Sequence, residues 1–93
     1  MDFELEYAAR EVGRAVSILA TGRARILERL NSARDEALSH VNREHIPEKL
    51  RQQFDQIMAQ MADIGALTED EGSILATQLL DLSATLDDEF FNE

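Results

Sequence analysis

The sequence contains no cysteine, no tryptophan and a single proline, and it has no basic residue after Arg51. Without cysteine there is no disulfide framework, no thiolate metal site and no cysteine nucleophile. With only Pro47 as a proline and no sustained period-two alternation, strands have little support. Aromatic residues are few, four Phe and one Tyr, so a core must come from Leu, Ile, Ala, Val and Met, the set that packed helices use. The missing bases bear most on function. All nine Lys and Arg lie between Arg10 and Arg51, and residues 1–51 hold nine Asp and Glu that balance them. Residues 52–93 hold ten carboxylates, so the formal charge of −10 belongs to that stretch. A one-signed surface attracts basic partners and repels nucleic acid and anionic membrane.

The length of 93 residues suits one helical domain spanning 1–93, since two cores would each bury too little. The opening Met1-Asp2-Phe3-Glu4-Leu5-Glu6 is acidic where a signal peptide would be basic. The most apolar stretch, Ala15 to Ala20, is far too short to cross a bilayer. These features place the expected protein in the cytoplasm, off the membrane.

Helical periodicity runs through the chain. Leu5, Ala8, Val12, Ala15, Leu19, Gly22, Ile26, Leu30, Ala33, Ala37 and Val41 recur at steps of three and four, which keeps them on one side of a helix. The pattern predicts a long N-terminal helix over about 3–42, capped by Asp2 and ended before Pro47. Pro47 is suited to the first position of a second helix over about 47–64, with Leu50, Phe54, Ile57, Met58, Met61 and Ile64 inward and Gly65 as its stop. Thr68 and Glu71 form a capping box for a third helix over about 69–88, which buries Leu75, Leu79, Leu82 and Leu86, with Phe90 continuing that face. Gly22 admits a second reading, a compact four-helix bundle with a turn there. The unbroken phase and the lack of a good N-cap in Arg23-Ala24-Arg25 favour continuity.

A continuous first helix would be about 60 Å long, roughly twice its neighbours. They would then leave the Leu5–Leu19 stripe without an intrachain cover, so the bundle is expected to be completed by a homodimer. The expected self-association residues are Leu5, Val12, Val16 and Leu19, with Gly13 and Ala20 from a strip of small residues beside them. That strip (Ala9, Gly13, Ser17, Ala20, Ala24) would let two backbones approach closely, and an interior Gly13 carries a helix cost that such packing would explain.

No constellation points to catalysis. His40, Glu44 and His45 cluster before Pro47, but their spacing matches no known metal motif, and surface histidines account for them. Glu69-Asp70-Glu71-Gly72 lacks the alternating oxygens of a calcium loop, and capping accounts for its acids. Arg10, Arg14, Arg25 and Arg29 lie away from the apolar stripe, where pairing with carboxylates is a simpler role than phosphate binding in so acidic a chain. No enzyme activity, metal or cofactor is expected, nor any binding of nucleic acid.

In size, acidity and helicity the chain resembles the small chaperones and gatekeepers of bacterial secretion systems, a resemblance of composition rather than of motif. The expected function is a non-catalytic protein–protein interaction module, a small regulator, adaptor or chaperone-like subunit. It would offer an acidic C-terminal surface, with Asp55, Asp63, Asp81, Asp87 and Asp88 facing a basic protein partner. The alternative is an acidic inhibitor that mimics nucleic acid and occupies a DNA- or RNA-binding protein. Its carboxylates are sparser than the phosphates of duplex DNA, at one charge per ~1.7 Å.

Overall fold

A computed structural model describes residues 3–21 and 24–91, with side chains described over 4–21 and 24–89. The described residues form four α-helices: α1 (Phe3–Thr21), α2 (Ile26–Glu36), α3 (Glu48–Met61) and α4 (Glu69–Phe91). Short 3₁₀ turns at Leu38–His40 and Arg43–His45 carry the chain from α2 to α3, and one at Ile64–Ala66 carries it from α3 to α4. The Asp2 cap, Gly22 itself and the side chains of Phe90 and Phe91 lie outside the described residues.

The expected helix over 3–42 is therefore replaced by two. α1 ends at Thr21, and Arg25 is extended (φ −63°, ψ 159°) immediately before α2. Periodicity missed this break for a physical reason. The intervening segment 22–25 is about one helical turn in residue count, so the apolar positions on either side keep helical spacing while the chain changes direction. α2 also stops at Glu36, not near 42, and the irregular segment after it buries Leu38 and Ile46 almost completely.

The two later helices lie close to their expected positions. Pro47 occupies the N-cap of α3 rather than its first helical position, and Leu50, Phe54, Ile57 and Met61 face inward. Gly65 lies inside the Ile64–Ala66 turn, and no described residue has left-handed backbone, so a glycine cap is not what ends α3. The capping box of α4 forms as its sequence requires. The Glu71 N–H donates to Thr68 Oγ1 at 3.1 Å, and the Thr68 N–H donates to Glu71 Oε1 at 2.9 Å. α4 continues to Phe91, beyond the expected end near 88.

The core is one cluster. Leu75, Leu79, Leu82 and Leu86 of α4 are fully buried against Val12 and Ala15 of α1, Leu30 and Ala33 of α2, and Ile57 and Met61 of α3. α1 and α4 lie antiparallel: Leu5 shares a cavity with Glu89, while Leu19 shares another with Ala76. Gly72 lets α2 cross the start of α4, because a Cβ there would sit 2.6 Å from Leu27 Cδ2 and 3.4 Å from Leu30 Cδ1.

Candidate interaction surface

The break after α1 changes the standing of the self-association residues. Leu5, Val12 and Leu19 are 3%, 0% and 6% exposed within the chain itself. The stripe expected to need a second copy is covered by α2 and α4 folding back over it. Val16 and Gly13 are half-buried, Ala20 is exposed and Ala9 is buried in the core, so only part of the strip of small residues is at the surface. A Cβ on Gly13 would meet nothing within 4 Å; no packing inside the chain requires a glycine there.

The basic residues are mostly engaged by backbone or by near neighbours. Arg29 Nη1 donates to the Leu19 carbonyl at 2.6 Å, near the end of α1. Arg34 Nη1 donates to the Met61 carbonyl at 2.7 Å, at the last residue of α3. Arg51 reaches the carbonyls of Ile46 and Glu44 at 2.9 and 3.1 Å. Neither α1 nor α3 has a base in its own last turn, so α2 supplies the positive charge that orphan C-terminal carbonyls favour. Arg10 pairs with Glu6 at 2.9 Å and Arg14 with Glu11 at 3.7 Å, each within α1. These roles leave little of a phosphate-binding face.

Of the five acids expected to face a partner, Asp55 is already occupied. Arg43 Nε donates to both of its carboxylate oxygens at 2.9 and 3.0 Å. That hydrogen bond, against some desolvation, holds the Asp55 carboxyl below the ordinary aspartate value and raises the Arg43 guanidinium. Asp55 belongs to a brace between the segment before α3 and α3 itself. Asp63, Asp81, Asp87 and Asp88 are exposed and have no ion pair among the described residues.

These four do not form one patch. Asp81 and Asp88 belong to an outward stripe of α4, Asp70-Ile74-Thr77-Asp81-Ala84-Asp88, at spacings of four and three, and all six residues are exposed. Asp87 lies on the neighbouring side of α4, and Asp63 sits at the turn between α3 and α4. Asp70 was assigned only to capping by sequence, although its position four residues before Ile74 already places it on the stripe. Ile74 is the most exposed large apolar residue described, at 59%.

Three concavities accompany this surface. A cleft of about 550 Å³ runs between Leu27, Asn31 and Arg34 of α2 and Ala62–Gly65. A polar hollow of about 250 Å³ lies among Glu4, Glu44, His45, Arg51 and Glu89. There His45 Nε2 is 4.0 Å from Glu4 Oε1, and its buried Nδ1 has no hydrogen-bond partner among the described residues. Lys49 pairs with Glu89 nearby, and His40 is exposed. Among the described residues, no three His, Asp or Glu side chains converge as a metal site would need. The third is an apolar groove of about 210 Å³ between α1, the start of α2 and α4. No helix among the described residues is long and apolar enough to cross a membrane.

No family model, curated protein or solved structure matches this chain.

Proposed function

We propose that this protein is a non-catalytic helical interaction module, an adaptor, regulator or chaperone-like subunit, and that the outward stripe of α4 receives a basic protein partner. One observation carries the reading: Asp70, Asp81 and Asp88 are exposed on one line of α4, unpaired among the described residues, in a region with no base of its own. An ordinary solvated face mixes both signs, and mixed charges neutralise each other at short range. Here the chain spends its arginines on helix ends and neighbouring acids, and leaves this line uncompensated.

The spacing suits a helical partner. Asp70 and Asp81 are about 16 Å apart along the helix, and Asp81 and Asp88 about 10 Å, at ~1.5 Å per residue. Ile74 and Ala84 between them offer apolar contact to a chain whose Lys or Arg residues meet the acids. Such a partner arrives by electrostatic steering, so association slows as salt rises and the Debye length shrinks to ~8 Å at physiological ionic strength.

The test compares the natural protein with the triple variant Asp70→Asn, Asp81→Asn, Asp88→Asn as affinity baits, at low and at physiological salt. Partners with basic surfaces, retained by the natural bait and released by the variant or by salt, support the reading. An unchanged partner set on the variant overturns it. Release of those partners by duplex DNA would instead assign the chain to nucleic-acid mimicry.

A further inference from the structure

We infer that the apolar groove between α1 and α4 is the contact face for a second copy of this chain, related by a two-fold axis running along the groove. The inference uses a different surface from the outward stripe of α4 and stands independently of the partner assigned to that stripe.

The groove is lined by Val16, Leu19 and Ala20 of α1, Ile26 of α2, and Ala76 and Leu80 of α4, with Arg29 at its floor already bonded to the Leu19 carbonyl. Leu80 is 48% exposed and Ala20 is exposed, so apolar surface is left open on both walls. The α1 wall continues at helical spacing to Gly13, beyond which Ala9 is buried in the core. Gly13 carries a helix-interior cost of about 1 kcal/mol relative to Ala, and nothing inside the chain approaches it. A helix of another copy laid along this wall gives that glycine a use, since it lets two backbones come close.

Charge selects the occupant. The end of the groove where α1 passes to α2 carries exposed Arg25, whose side chain has no ion pair among the described residues, whereas Arg10 and Arg14 are paired with Glu6 and Glu11 within α1. The α4 side carries Glu69 and Asp87, both exposed and likewise unpaired. They fall on the helical row that contains Leu80, by spacings of four, three and four from Glu69 through Ser73 and Ala76, and of seven from Leu80 to Asp87. The α1 side therefore ends in one unpaired base, and the α4 side is acidic. Turning a second copy by 180° about an axis along the groove lays the α1 rim of each copy over the α4 rim of the other. Arg25 then faces the partner's Glu69. Turning it about an axis across the groove would set Glu69 against Asp87, like on like, which is unfavourable. The surface is thus self-complementary in one orientation, as an isologous interface must be.

Sedimentation equilibrium of the full chain, from micromolar to near-millimolar concentration at physiological salt, tests this directly. The natural protein should show a monomer–dimer equilibrium. Leu80→Glu and Gly13→Leu both alter exposed or open positions, so circular dichroism should show the fold retained. Each should raise the dimer dissociation constant at least ~10-fold, as central contacts of an interface do. Arg25→Glu should weaken the dimer a few-fold, and adding Glu69→Arg should restore it, a recovery that a merely structural role cannot give. A natural protein that stays monomeric throughout overturns the inference. So does a dimer unaffected by Leu80→Glu and Gly13→Leu. Asp70→Asn, Asp81→Asn, Asp88→Asn should leave the dimer intact, so loss of partner capture and loss of dimerisation are read separately.

Discussion

Arg34 Nη1 lies 2.7 Å from the carbonyl oxygen of Met61, so a side chain of α2 closes the C-terminus of α3 across twenty-seven residues of sequence. The Arg34 side chain is 29% exposed, which places the bond where water competes only in part. A charged donor on a helix-end carbonyl contributes more than a neutral one, about 1.5–3 kcal/mol net of the water bonds it replaces. Arg34→Met, which keeps the aliphatic stem, should therefore destabilise the fold by about 1–2 kcal/mol in chemical denaturation. Arg34→Lys should recover part of this, since the charge remains but the fork does not. No change in midpoint for Arg34→Met would show that the turn at Ile64–Ala66 ends α3 unaided.

Val12 is fully buried and faces the core formed by α2 and α4. Val12→Glu places a carboxylate there with no partner, and the folded state should be lost or destabilised by several kcal/mol. The informative readout is the species produced. Loss of circular dichroism at all concentrations agrees with a stripe buried inside one chain. A folded monomer released from a dimer would return Val12 to an interface between copies.

How far the sequence could be read follows from what each signal measures. The capping box at Thr68 and Glu71 and the leucine row of α4 are local, and the structure repeats them residue for residue. The break between α1 and α2 was legible only as the second reading, a turn at Gly22, because periodicity argued against it. Apolar spacing records count, not direction, and four linking residues preserve the count. That one ambiguity decided whether Leu5, Val12 and Leu19 faced a second copy or the chain's own α4. Among the acids, exposure was legible but pairing was not. Asp55 and Arg43 are twelve residues apart, and nothing local in sequence joins them. The arginines that close α1 and α3 were equally hidden, since Arg29 and Arg34 look like ordinary solvated residues until α2 is folded back.

Gly72 offers a test of the α2–α4 crossing. An added Cβ would fall 2.6 Å from Leu27 Cδ2, 3.4 Å from Leu30 Cδ1 and 3.5 Å from Ile26 Cγ2. Leu27 is only half-buried, so its methyl can swing away from an alanine, and the gain in helix propensity offsets the shift. Gly72→Ala should thus change stability little. Gly72→Val adds branches that also press on the buried Leu30, and overpacking of this kind costs about 1–3 kcal/mol. A thermal melt of the two variants distinguishes a close crossing from a loose one. Equal melting temperatures for Ala and Val would mean the helices separate freely there.

The Arg43–Asp55 brace predicts a definite pH dependence. Arg43 donates to both carboxylate oxygens, and the hydrogen bond keeps the folded-state pKa of Asp55 below its ordinary value. The folded protein then binds the Asp55 proton less tightly than the unfolded chain does, so ionisation favours folding. The contribution is complete above the ordinary carboxylate range and is lost as pH falls through the lowered folded value. The pair is exposed, so the effect is small, and acidification also relieves repulsion among the many other carboxylates. A double-mutant cycle with Arg43→Met and Asp55→Asn removes that background, because both single variants share it. The coupling between the two residues should be favourable at neutral pH and decline towards zero as the solution is taken well below the carboxylate range. A coupling that stays constant on acidification, or is absent at neutral pH and low salt, would mean that Arg43 does not hold Asp55 in solution. It would then return Asp55 to the set of acids free to meet a partner.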